Sequence, residues 1–474
     1  MDLKDRNRVD VVFRGVMTAG PNRKGRFGPV GTLPCVLVAG LLTACTPPDV
    51  NEFFRESTPH EAYQHSLATA GLEGTRLAKA WIDAARGALD APLEVAPPYE
   101  EFGYFVAAEP VALGYRIELE RGQRMEISVQ TEGNDEVRLF LELFAAPRSE
   151  EQPRLLDFGE GDSATVHFEP SDGGTFLLRV QPELLVDVPY RLNVRVDVAL
   201  AFPVQDRNMS AVLSYFGDDR EGGRRTHHGV DIFAPRHTPV LAVSDGIVTR
   251  VEVTNLGGKV VWLRDRERGQ SVYYAHLQEQ LVEEGDNVRR GDPLGLVGNS
   301  GNARTTPPHL HFGVYRRGRG PIDPWHHIRR LSQVAPEMTG DSTQIGRWVR
   351  VETDGMRLRQ AASRESAVRA ELPLGLPLKV EATASDWYRV SLPDGEVGFV
   401  AARLTEPAVT AVGTTTPAVN VALWNSIGDQ VPIDQIPAQT ETPVLGEYGN
   451  YLLVSGEAGR LGWIEDLDSQ DRDD

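Results

Sequence analysis

Apolar and polar positions alternate in short runs at residues 115–120, 125–129, 137–144, 165–168, 175–180 and 190–196. A period of two marks half-buried strands, and turn residues such as Gly122 and Asp172-Gly173-Gly174 separate the runs. The spacing predicts an antiparallel β-sandwich over residues 99–200. Upstream the period changes. Ala62, Leu67 and Ala70, then Leu77, Ala80, Trp81, Ala84, Ala85 and Leu89, fall at helical intervals, with Gly71 and Gly74 as a break. Ser57 or Thr58 is placed to cap the first helix ahead of Pro59. A tether and helical hairpin are therefore expected over 46–98. Glycine-rich strand patterns resume over 205–330, and a polar linker fills 331–344. Two related strand–turn–strand units follow, at 345–407 and 408–467, with an acidic tail at 468–474. The fold class is mainly β and multidomain, as 474 residues are too many for one core.

Charge and cysteine content narrow the setting. The formal net charge is −19, which repels phosphate backbones and argues against a nucleic-acid partner. Basic residues Arg23, Lys24 and Arg26 precede an apolar run at 33–42 that is too short to span a bilayer permanently. This is the n-region and h-region of a secretory signal occupying 1–45, with Met17 a more natural start than Met1. The run ends in Leu42-Thr43-Ala44-Cys45, which resembles the bacterial lipobox. That resemblance implies lipidation of Cys45, and Thr46 after it resembles lipoproteins sorted to the outer membrane of a Gram-negative cell. The expected location is the cell envelope, as a periplasmic lipoprotein held to the membrane by its N-terminal lipid. With Cys45 acylated, Cys35 has no disulfide partner.

The chemistry concentrates in one region. Of eleven histidines, eight fall between His227 and His327. His309 and His311 are two apart in a strand-patterned segment, so both imidazoles project from one face. His227 and Asp231 are four apart, and Gly229 with the following Val230, Ile232 and Phe233 favours a strand or tight loop. Two imidazoles and a carboxylate match the three-ligand set of a catalytic zinc that keeps a position for water.

His227-x-Gly-Val-Asp231, Tyr274-Ala-His276-Leu, Gly291-Asp-x-Leu-Gly295, Gly298-Asn-Ser-Gly301 and His309-Leu-His-Phe312 resemble, in order, the lysostaphin-type (LytM-like) zinc endopeptidases. The resemblance covers about residues 205–328. It implies a β-sheet groove of the duplicated-hybrid-motif type, one Zn2+ per domain, and cleavage of peptide bonds in peptidoglycan. Carried over by position, His227, Asp231 and His311 become the metal ligands. His309 becomes the general base, and His276 a second histidine that orients water and stabilises the oxyanion. Tyr274, Arg225 and Asn299 are candidates for the substrate groove, the last from a long loop at 299–308. His228 and the pair His326 and His327 read as structural. His237 stands where the family has glycine, which leaves that turn's backbone geometry open, since a non-glycine residue pays for positive φ, and it is not read as a ligand.

Residues 99–200 loosely resemble the jelly-roll domains that accompany secreted bacterial peptidases, while 345–407 resembles a bacterial SH3-like barrel and 408–467 a divergent second one. Two rival functions use the same features. The chain could be a non-catalytic amidase activator, a class marked by loss of the zinc residues, or a peptidoglycan-binding envelope lipoprotein. All five metal-site and catalytic positions are present here, which disfavours the activator reading. No protein partner is legible in the sequence.

Overall fold

The computed structural model describes residues 57–466, apart from 134–136, 148, 150, 221, 330–333 and 430. The signal, Cys45, most of the tether and the acidic tail lie outside the described residues.

The chain enters through two helices, α1 (Pro59–Thr69) and α2 (Arg76–Asp90). Thr58 caps α1 in a reciprocal box: its Oγ1 accepts from Glu61 N at 3.1 Å, and Glu61 Oε2 accepts from Thr58 N at 3.0 Å. Gly71, at φ 70°, closes the helix as only glycine does without strain. The hairpin lies on the outer face of a sheet. His60 stacks on Trp81 at 4.6 Å, and the Trp81 indole donates to Pro182 O at 2.8 Å. This cover explains why strand Leu139–Ala145 is buried on both faces instead of alternating.

That sheet runs in the order Leu93–Glu94, Leu113–Leu119, Gly174–Pro182, Leu139–Ala145, Arg154–Gly161. It packs against a second sheet containing Ser163–Phe168, Gln123–Thr131, Val188–Val198 and Tyr99–Phe105. The inward positions Ile117, Ile127, Leu141, Leu178 and Leu192 share one core between the sheets.

The second sheet does not end at the sandwich. Strand Tyr99–Phe105 pairs onward with Pro377–Ala384, in the register Phe102↔Thr383 and Gly103↔Ala382. The sheet then continues through Trp387–Ser391, Val397–Ala401, Met356–Arg359 and Val368–Leu372. The expected SH3-like barrels are accordingly not closed. The edge of Pro377–Ala384 is divided: residues 377–379 pair with Trp348–Val351, while 382–383 pair with the sandwich. The second unit is also open. It consists of a four-stranded sheet, Gly413–Thr415, Thr442–Tyr448, Tyr451–Ser455, Leu461–Glu465, and a separate ribbon of Val421–Leu423 with Asp434–Ile436.

Between these parts in the sequence comes the histidine-bearing sheet, ordered Val212–Ser214, Val230–Phe233, His309–Arg316, Gln270–Gln280, Gly258–Asp265, Gly246–Thr254, Asn287–Val288. Its core of Val230, Ile232, Leu263, Val272, Leu310 and Phe312 is fully buried. Charged contacts seat it on the sandwich. Arg268 Nε and Nη2 donate to Glu169 at 2.6 and 2.8 Å, and Arg319 donates to Asp172 at 2.9 Å. No helix among the described residues is long and apolar enough to cross a membrane.

Candidate metal and proton-transfer site

Strand register builds the site. Val230–Phe233 and His309–Arg316 are antiparallel neighbours, with Asp231 opposite His311 and Phe233 opposite His309. His309 and His311 share a face because they are two apart in a strand. The Phe233 ring stacks on His309 at 5.0 Å and holds its plane. His227 arrives just before the strand. A Cβ at Gly229 would meet Phe312 O at 2.4 Å and the His311 ring at 2.9 Å, so only glycine lets the chain pass there.

Three donor atoms converge. His227 Nε2 lies 3.0 Å from Asp231 Oδ1 and 2.9 Å from His311 Nδ1, and the latter lies 3.0 Å from Asp231 Oδ1. His227 Nδ1 lies 2.7 Å from Tyr215 O, an oxygen that can only accept, so the hydrogen of neutral His227 sits on Nδ1 and the lone pair on Nε2. The other carboxylate oxygen, Asp231 Oδ2, accepts from Arg220 Nη2 at 2.8 Å. Burial works to raise the Asp231 carboxyl, but its close contacts with the His227 and His311 imidazoles outweigh it and hold Asp231 far below the usual carboxylate range. Burial lowers His311, keeping its ring neutral near pH 7. Two ring nitrogens and one carboxylate oxygen, within about a hydrogen bond's length of one another, fit a single divalent cation.

Two further histidines flank this triangle. His276 sits at a bulge: strand Gln270–Gln280 shifts register against Gly258–Asp265 between Lys259 and Val261. Its φ is 62°, a left-handed conformation that costs a non-glycine residue about 1 kcal/mol or more. Its backbone N donates to Gly257 O at 2.7 Å and its Nδ1 to Ser300 O at 2.9 Å. Burial, then the adjacent His309 and His311 rings, push His276 down to about 4. His309 donates Nδ1 to Pro307 O at 2.9 Å and lies 5.0 Å, ring to ring, from His276. In both rings Nε2 is therefore the acceptor.

The site opens into a cavity of about 850 Å³. One wall is aromatic, with Trp262, Tyr273 and Tyr315. Another is the 299–308 loop, through Asn302, Ala303 and Thr306. Ser300 pins that loop, its Oγ donating to Leu277 O at 2.7 Å and accepting from Lys259 N at 2.9 Å.

The sequence candidates divide accordingly. His227, Asp231, His311, His276 and His309 come together, and Arg225 lines the cavity. Tyr274 does not line it. The bulge turns His276 off the face that a regular period of two would give it. Tyr274 is fully buried against Phe312, with its hydroxyl accepting from Val243 N at 3.1 Å, while the neighbouring Tyr273 faces the cavity. Asn299 braces the loop from behind, accepting from Arg236 at 2.7 Å and donating to Thr306 O at 3.3 Å. His237 adopts the left-handed φ of 70° despite its side chain, and exposed His228 reaches the cavity rim. His326 pairs with Glu120 at 3.1 Å, and buried His327 closes the domain. Arg220 and the aromatic wall went unread. Arg220 and Asp231 lie on separate strands that a loop brings together, and the aromatics converge only through the pairing Trp262↔Tyr273 and the neighbouring strand of Tyr315.

A carboxylate and two imidazoles lie around one point, a group that fits a single divalent cation, and two further imidazoles stand alongside. The comparisons agree. Residues 225–324 match Peptidase family M23 and residues 352–407 match the bacterial SH3 domain. An L-Ala–D-Glu endopeptidase of Bacillus subtilis is 36% identical over 140 residues, which is 27% of this chain and 43% of that protein. The peptidoglycan DD-endopeptidase ShyC of Vibrio cholerae is 36% identical over 103 residues, 21% of this chain and 23% of its own length. The catalytic domain of lysostaphin from Staphylococcus simulans is 32% identical, covers 23% of this chain and 85% of that one, and superposes with a TM-score of 0.21. The chain spans less than half the length of the curated relatives it matches.

Proposed function

We propose that this protein is a zinc-dependent endopeptidase that hydrolyses peptide bonds in peptidoglycan and remodels the cell wall within the envelope. The observation that carries the reading is the His227–Asp231–His311 triangle, with separations of 2.9–3.0 Å, open to a cavity that His276 and His309 also line. The relatives named above supply the substrate class.

His227 Nε2, Asp231 Oδ1 and His311 Nδ1 would hold one Zn2+ per domain. Bound there, zinc would polarise the scissile carbonyl and acidify a water. The protein's own residues do the rest. His309, held by Pro307 O and stacked on Phe233, presents an acceptor Nε2 that takes the proton of the attacking water and returns it to the leaving amine. His276 is neutral near pH 7 with its hydrogen directed at Ser300 O, so its Nε2 accepts. That geometry supports orienting the water and does not support donation to the oxyanion, the second role the sequence resemblance implied. Arg220 holds the far oxygen of Asp231 and leaves Oδ1 for the metal.

The open SH3-like sheet serves as a wall-binding module beside the catalytic domain. Signal cleavage and acylation at Cys45 tether the protein to the membrane, in the outer membrane of a Gram-negative cell. The motif Leu42-Thr43-Ala44-Cys45 supports this. A Cys45→Ser protein that still partitions with membranes would exclude the tether.

The enzymatic reading is tested by incubating the purified protein with intact cross-linked peptidoglycan, with and without a chelator. Mass spectrometry of the released fragments should show new amino termini that vanish with chelation and return with zinc. Their absence under all conditions would instead favour the rival of a peptidoglycan-binding lipoprotein.

A further inference from the structure

In a chain with 68 acidic and 49 basic residues, the described residues line the cavity with one carboxylate and three guanidinium groups. The carboxylate, Asp231, belongs to the metal triangle. The guanidiniums, Arg220, Arg224 and Arg225, lie on one small ribbon formed by Asp219–Arg220 and Arg225–Thr226.

The ribbon puts Arg220 directly opposite Arg225. Like charges facing across strands are destabilising, so the arrangement calls for anions nearby. Arg220 finds one in Asp231, and Arg225 has a partner of its own. Arg224 is exposed, lines the cavity, and has neither a hydrogen bond nor an ion pair among the described residues. The ribbon turns through Gly222 and Gly223, both at positive φ, and its base is fixed. Asp218 Oδ2 accepts from Tyr215 N at 2.8 Å, and the backbones of Gly217, Asp218 and His227 interlock at 2.9 Å. Arg224 precedes His227 by three residues, so its Cα lies within about 11 Å of that residue's Cα.

We propose that Arg224 makes the cavity a subsite for peptides with a carboxylate close to the scissile bond, so that the preferred substrate is an anionic peptide. This rests on the endopeptidase reading. A guanidinium offers a planar fork that binds a carboxylate through two parallel hydrogen bonds. The facing wall of Trp262, Tyr273 and Tyr315 packs the rest of the peptide, and among the described residues Asp231 is the only carboxylate lining the cavity. The carboxylate can come from a side chain or from the peptide's C-terminus.

Three synthetic cross-linked stem peptides separate these sources: one with all carboxylates free, one amidated on its side chains, and one amidated at its C-termini. The wild-type protein should cleave the free form with kcat/KM about tenfold or more above one of the two amidated forms, the difference residing in KM and shrinking with salt. The amidated form that loses rate identifies the source. In Arg224→Gln the ratio should fall to about two or less, and in Arg224→Lys it should be intermediate, with zinc content unchanged in both. Equal rates on all three peptides, or a preference that survives Arg224→Gln, would overturn the proposal and leave the endopeptidase reading standing. Failure to cleave any of the three would remove both.

Discussion

Replacing Arg389 by Met should destabilise the joint between the sandwich and the SH3-like sheet more than any surface change could. Glu101 is fully buried and accepts from Tyr99, Tyr115 and Tyr190 hydroxyls at 2.5, 2.8 and 2.6 Å, and from Arg389 Nε at 3.3 Å. Arg389 also donates to Tyr190 OH at 2.8 Å, and Gly103 leaves the space that the Tyr190 hydroxyl needs. Removing one partner of a buried pair costs about 3–5 kcal/mol, because the other charge stays behind uncompensated. Three hydroxyl donors still solvate Glu101, which places Arg389→Met near the lower end, at about 3 kcal/mol. Removing the charge as well should recover much of this, so Glu101→Gln/Arg389→Met is expected to be more stable than Arg389→Met by about 1–2 kcal/mol. Urea unfolding followed by tryptophan fluorescence is the assay, since Trp387 lies in the same strand two residues away. Strict additivity of the two single changes would refute the coupling.

Other outcomes follow from the same reasoning. Burial first, then the nearby Arg316 and Arg121 charges, push His327 down to about 4, and neither of its ring nitrogens has a hydrogen-bond partner among the described residues. The unfolded chain takes up this proton below its ordinary pKa of 6.5, whereas the folded protein resists until about 4. Stability is therefore retained above pH 6.5 and lost on acidification towards 4, by up to about 3 kcal/mol from this group. His327→Leu should flatten that acid branch, and an unchanged slope in urea titrations between pH 7 and 4.5 would contradict it. Gly229→Ala should reduce zinc binding, since its Cβ would press on Phe312 O and the His311 ring. Wild-type zinc content in that variant would show the contact to be unimportant.

Much of the site was legible in the sequence because strand geometry is periodic. His309 and His311 share a face by the rule of two, and the helical hairpin, its Thr58 cap and the alternating sandwich strands follow from the same kind of pattern. What escaped was whatever breaks a period or depends on register. Tyr274 was misplaced because a bulge and a left-handed residue intervene at His276. Arg220 was missed because a loop, rather than a repeat, brings it to Asp231. The open SH3-like sheet was invisible because the pairing of Gly103 with Ala382 joins positions 279 residues apart. Alternation in each strand says which face is buried but not which neighbour each edge takes.

The division of labour among the histidines is open to one direct measurement. Zinc per chain and turnover on cross-linked peptidoglycan would be determined side by side for His311→Ala and His309→Ala. The expected result is loss of both zinc and turnover in the first, and loss of turnover with about one zinc per chain retained in the second. Zinc lost from His309→Ala, or kept at full occupancy in His311→Ala, would contradict the assignment of ligand and base.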